Sequence, residues 1–104
     1  MTKARGIVTA EEKNGRERTL VDTPLDAFPG LYTPGPHAHA RVEMSIAKAM
    51  GYGELRVVSR VVLECDQQKA VIEKAGELAF EEAKNLAITG FEILLAESRQ
   101  EGSG

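Results

Sequence analysis

A chain of 104 residues, 42% hydrophobic and 28% charged, has the composition of one globular domain and no room for two. No apolar run approaches the roughly 20 residues that cross a bilayer, Met1 to Arg5 lacks the apolar stretch of a signal peptide, and the single cysteine, Cys65, excludes an internal disulfide. These features point to a reducing, cytoplasmic setting, and the net charge of −3 argues mildly against life on phosphate backbones.

The charge is also uneven. Residues 1–60 hold nine Lys/Arg and seven Asp/Glu, whereas residues 61–104 hold four and nine, so the two halves present different fields. With no Trp and 5% aromatics, the core must be built from Val, Ile, Leu, Ala and a few Phe and Met.

In chain order, residues 1–22 read as a hairpin. Gly6 to Ala10 and Arg18 to Asp22 are short β-prone runs, and Asn14-Gly15 between them is a strong turn signal. The link exceeds two residues, so the turn is loose or the strands are short. Residues 23–39 carry all four prolines, Pro24, Pro29, Pro34 and Pro36, and read as a loop. Its apolar members Leu25, Phe28, Leu31 and Tyr32 suggest that it packs onto the body.

Residues 40–64 read as a second hairpin. Val42, Met44 and Ile46 alternate with Arg41, Glu43 and Ser45, the period of a half-buried strand. Ala47 to Met50 favour helix, so strand and helix both remain open for 41–50. Gly51-Tyr52-Gly53 supplies a turn, and Leu55 to Glu64 is the clearest strand, rich in β-branched Val57, Val58, Val61 and Val62.

Residues 66–99 form the helical region, with Asp66 as its expected N-cap. Apolar residues recur at helical spacing from Ile72 to Ala87, and Ala75, Gly76, Ala79 and Ala83 would allow close approach of the helix. Lys69 with Glu73 and Glu81 with Lys84 are helical neighbours able to pair. Thr89-Gly90 is expected to kink or interrupt the helix. Phe91 to Leu95 resume an apolar run, and 100–104 read as a frayed tail. The expected fold is α+β: a small antiparallel sheet of two hairpins packed against one long C-terminal helix.

Several side-chain sets have the residue types that chemistry uses. In an extended segment, His37 and His39 present both imidazoles on one side, as a metal site requires, but the remaining ligands would have to come from elsewhere, Cys65 or Glu64 for instance. Two loop histidines beside prolines are the favoured reading of the pattern, so no metal or cofactor is assigned. Cys65 beside an acidic residue reads as a small buried apolar group rather than a nucleophile. Glu73, Glu77 and Glu81 at helical spacing, interspersed with lysines, read as a solvated face. Gly51-Tyr52-Gly53 lacks the further glycine and the following helix of a dinucleotide loop.

The strand arginines are more informative. Arg56 and Arg60 share one strand face with Val58 and Val62, Arg41 lies on the polar face of the strand expected beside it, and Lys48 and Tyr52 lie near the turn. Arginines with an aromatic on a sheet are a platform for single-stranded nucleic acid, although alternation with Glu43, Glu54 and Glu64 also fits solvated cross-strand pairs. Two valines among arginines suggest a covered face: by the proline loop, by a second subunit, or by a partner protein.

The segment Met50-Gly51-Tyr52-Gly53-Glu54-Leu55-Arg56-Val57, followed by Cys65 and an Ala/Glu-rich helix, resembles a loose group of short phage and mobile-element proteins. The likeness covers about the C-terminal two-thirds of the chain. It implies an accessory role in phage replication or in interference with the host, and it transfers no site residue. The sequence thus reads as a non-enzymatic binding protein acting through a sheet face, as a homodimer or with a protein partner, with Arg41, Lys48, Tyr52, Arg56, Val58, Arg60 and Val62 as contact residues. Single-stranded nucleic acid is the alternative ligand class, and a small enzyme the third reading.

Overall fold

The computed structural model describes residues 4–12, 15–25, 30–50 and 55–102. Strands β1 (Ala4–Glu12), β2 (Glu17–Leu25), β3 (His39–Met50) and β4 (Leu55–Asp66) precede one helix, α1 (Lys69–Gly102). The strands form one four-stranded sheet in the order β2-β1-β4-β3. Every pairing is antiparallel. The expected α+β architecture of two hairpins against a long helix is the one observed.

Of the expected Asn14-Gly15 turn, Gly15 is described and lies in the connection between β1 and β2, and Asn14 lies outside the described residues. Gly15 N–H donates to Glu12 O and Glu12 N–H to Arg16 O, at 2.9 and 2.8 Å. Gly15 has φ +90°, a conformation that costs a glycine little. The strands outrun the sequence reading, because β2 continues through Pro24 to Leu25. Proline is tolerated there because β2 is an edge strand, paired on one side only. Residues 41–50 are strand throughout: pairing with β4 along the full length of β3 outweighs the helix preference of Ala47 to Met50. The Gly51-Tyr52-Gly53 turn and Phe28 lie outside the described residues.

Alternation divides the sheet into two faces. Val57, Ser59, Val61, Leu63 and Cys65 of β4 point toward α1 and are buried, as are Ala4, Val8 and Ala10 of β1. A register shift after Val8 places Thr19 opposite Thr9 and leaves Leu20 without a Cα partner. This bulge lets Leu20 and Val21 both pack against the cluster of Val8, Ala10, Val57 and Leu94.

The helix lays Ala75, Ala79, Ala83 and Ala87 on the sheet, a row at i, i+4 spacing that is buried throughout. Gly76 is not part of that row: a Cβ there would meet nothing within 4 Å. The expected interruption at Thr89-Gly90 does not occur, and α1 runs on to Gly102. A Cβ at Gly90 would lie 2.7 Å from Val8 Cγ1 and 3.1 Å from Val57 Cγ1. Gly90 is therefore a packing glycine, whose missing side chain lets the helix approach β1 and β4 instead of breaking it. Asp66 is not the N-cap either. It closes β4, and the first helical carbonyl bond runs from Ile72 N–H to Gln68 O.

Candidate functional site

The sheet face turned away from α1 gathers most of the residues singled out from sequence. Arg56, Val58, Arg60, Val62 and Glu64 of β4 stand opposite Ala49, Ala47, Ser45, Glu43 and Arg41 of β3. On the other side of β4, Arg5, Ile7, Thr9 and Glu11 of β1 share the same face. Lys48 does not join them. It pairs with Val57 and so lies on the helix-side face, the consequence of an even offset from Val42 along a period-two strand. Tyr52 lies outside the described residues, so the aromatic of the expected nucleic-acid platform is not part of the described face.

The arginines are engaged by carboxylates. Arg5 donates to Asp22 at 2.7 Å, Arg56 Nε to Glu11 Oε2 at 3.0 Å, and Arg60 Nε lies 3.2 Å from Glu43 Oε1. Ion pairs this exposed contribute about 0–1 kcal/mol each. Their main effect is to cancel the positive field of the face. Between them, Ile7, Val58 and Val62 are half-buried. Ile7 sits opposite Arg60 and diagonal to both valines, which places three apolar positions in one patch around Arg60 on this face. The sequence reading did not select Ile7, although alternation from Gly6 and Val8 places it on this face.

The described part of the proline loop does not cover that patch. Leu31 turns into the core beside Ala75 and Ala79, and its carbonyl accepts from Asp66 N–H at 2.7 Å. On the helix, Phe80, Ile88 and Leu95 are 46%, 55% and 47% exposed and form a stripe along its flank. Lys84 does not leave Phe80 bare: its ammonium lies 5.3 Å from the ring centroid, within cation–π range. Glu73, Glu77 and Glu81 are exposed, as a solvated face requires.

At the far end of the sheet, the loop, β3 and β4 converge on Asp66. Thr33 donates to its carboxylate twice, from N–H and from Oγ1, both at 2.9 Å. His37 Nε2 lies 3.2 Å from Oδ1, and His39 Nε2 lies 3.9 Å from it and 3.0 Å from Thr33 O. Tyr32 stacks on His39 with centroids 4.5 Å apart. The Thr33 bonds, backbone first, hold the Asp66 carboxyl below the usual range, and His37 adds to the effect. Sequence spacing suggested His37 and His39 but sought their companion in Cys65 or Glu64. Both were one residue off in the alternation or short of the strand end, since Glu64 lies on the open face and Cys65 is buried under the helix. Burial, and then the Asp66 charge, push the Cys65 thiol up, away from nucleophilic use.

The chain matches no protein-family model, no curated protein and no solved structure. Among the described residues, no helix is long and apolar enough to cross a membrane.

Proposed function

We propose that this chain is a non-enzymatic binding protein whose open sheet face is its working surface, and that a second copy of the same face covers it. The observation that carries this reading is the apolar patch of Ile7, Val58 and Val62 set among ion-paired arginines. A two-fold interface must be complementary to itself, and a face with closely matched positive and negative groups meets that condition. Strands spaced about 4.8 Å apart and rising about 3.3 Å per residue give four strands a face of roughly 600 Å² in projection. That is comparable with the ~800 Å² per partner of a standard interface. The resemblance of about the C-terminal two-thirds of the chain to phage and mobile-element proteins extends the reading to an accessory dimer that modulates a host or replication protein.

Sedimentation velocity across a wide concentration range tests the assembly. A dimer is expected, and Val58→Lys or Val62→Lys should yield monomers with an unchanged far-ultraviolet circular dichroism spectrum. A wild-type chain that stays monomeric refutes the reading. So does a dimer that both lysine variants leave intact but Ile88→Lys dissociates, because the contact then lies on the helix flank. Labelled oligo-dT is expected to show no binding at low or physiological salt. Saturable, salt-sensitive binding lost in Arg56→Ala would replace the dimer reading with the single-stranded nucleic-acid one.

A further inference from the structure

We propose that His37, His39 and Asp66 form a binding site for a divalent transition-metal ion of the zinc class, which clamps the proline loop to the end of β4. One ligand atom from each residue lies within 4.8 Å of the other two. Two ligands about 2.0–2.1 Å from a tetrahedral zinc ion stand about 3.3 Å apart. The His37 Nε2 and His39 Nε2 distances to Asp66 Oδ1, 3.2 and 3.9 Å, bracket that separation. With every donor pair within 4.8 Å, closing on an ion takes side-chain adjustments of up to about 1.5 Å.

The donor set selects the ion. Two imidazoles and one carboxylate suit zinc, cobalt and related ions, whereas magnesium and calcium take oxygen ligands. The surroundings hold the ligands in place. The Asp66 carboxylate is oriented by both Thr33 donors, and the His39 ring is fixed by stacking on Tyr32 at 19° between planes. Such outer partners orient the ligands of a metal centre. On binding, His37 Nε2 exchanges its hydrogen bond to Asp66 for the metal, and His39 Nε2 exchanges its bond to Thr33 O. Both rings then carry their proton on Nδ1.

Three protein ligands leave a position open. A surface pocket of about 380 Å³, lined by Thr33, Ala38, Gln67 and Gln68 beside His37 and Asp66, gives water access to it. This is the arrangement of a three-ligand site completed by solvent. The loop gains a metal tie at a point where Asp66 N–H to Leu31 O and Gln67 N–H to Ala38 O already join it to the end of β4 and the residue after it. By alternation His39 and Asp66 stand on the same side of the sheet as the open face, at its loop end beyond Arg41 and Glu64, and metal binding is read separately from assembly.

The test is isothermal titration calorimetry of the untagged, chelator-stripped chain with Zn²⁺, with Co²⁺ absorption as the report on geometry. One equivalent should bind at micromolar affinity or tighter, Co²⁺ should show intense tetrahedral or five-coordinate visible bands, and excess Mg²⁺ should not compete. Thr33→Val should weaken binding about 10–100-fold, as loss of an outer partner does. His37→Ala and His39→Ala should each weaken it more, and Cys65→Ser should leave it unchanged. Asp66→Asn also loosens the loop, so the histidine variants, which keep the Asp66–Thr33 bonds, carry the test. No saturable Zn²⁺ binding by the wild-type chain overturns the proposal. So does stoichiometric binding that both histidine variants retain, or binding that Cys65→Ser abolishes.

Discussion

Gly76 and Gly90 sit in the same helix, and replacing each with alanine should move stability in opposite directions. Intrinsic propensity favours the change at both sites by about 1 kcal/mol, because alanine loses less backbone entropy on forming helix. At Gly76 a new Cβ meets nothing within 4 Å, so the propensity gain is realised in full. At Gly90 the Cβ would stand 2.7 Å from Val8 Cγ1 and 3.1 Å from Val57 Cγ1, well inside the roughly 3.5–4.0 Å of a relaxed carbon contact. Both neighbours are fully buried valines with stiff χ1 angles, so the helix must lift or the strands must yield. Overpacking of this kind costs about 1–3 kcal/mol. The net effect at Gly90 is a loss of about 1 kcal/mol, after subtracting the propensity gain. For a domain near 100 residues, each kcal/mol moves Tm by about 4 °C or somewhat more. Thermal unfolding followed by circular dichroism should therefore show Gly76→Ala about 4 °C above the parent chain and Gly90→Ala about 4 °C below it. If Gly90→Ala raised Tm as much as Gly76→Ala, the docking of the helix at Val8 and Val57 would be wrong.

Two further outcomes follow from buried and charged contacts. Ser59 is fully buried on the helix-side face, and its Oγ donates to Ala83 O at 2.7 Å; Ser59→Ala should lower stability by about 0.5–1.5 kcal/mol in urea titration, with the m-value unchanged. Asp66 has a folded-state carboxyl held below its unfolded value by Thr33. In the chelator-stripped chain its contribution to stability is therefore complete above about pH 4 and is lost as pH falls through the lower folded value. The Thr33 amide resonance should report that transition, and Thr33→Val should make stability less dependent on pH across the same acid range. An unchanged pH profile in Thr33→Val would show that Thr33 does not hold the carboxylate.

Much of the architecture was legible along the chain, for local reasons. Period-two runs at Val42 to Ile46 and Leu55 to Glu64 place those strands, Gly15 lies in the turn of the first hairpin, and the spacing of Ile72 to Ala87 makes the helix. The same alternation put Arg56, Val58, Arg60 and Val62 on one face of β4. Where two local signals disagreed, the sequence had no means of choosing. Ala47 to Met50 favour helix by propensity, and only the backbone ladder to β4 makes them strand. Gly90 reads locally as a breaker, yet it lies where α1 comes closest to Val8 and Val57, two strands far away in sequence.

The residues that chemistry would use divide in the same way. Composition and spacing, which act through bonds and near neighbours, determined by themselves that the fold is α+β, that its clearest strand carries arginines beside valines, and that His37 and His39 stand two residues apart. Tertiary structure decided the rest: it set Glu11, Glu43 and Asp22 against the arginines, added Ile7 to the valine patch, turned Lys48 to the other face, and brought Asp66 and Thr33 to the histidines. Those partners lie between 17 and 45 residues apart in most cases, as with Arg5 and Asp22 or Arg56 and Glu11, and such contacts depend on register and strand order, which no local pattern records.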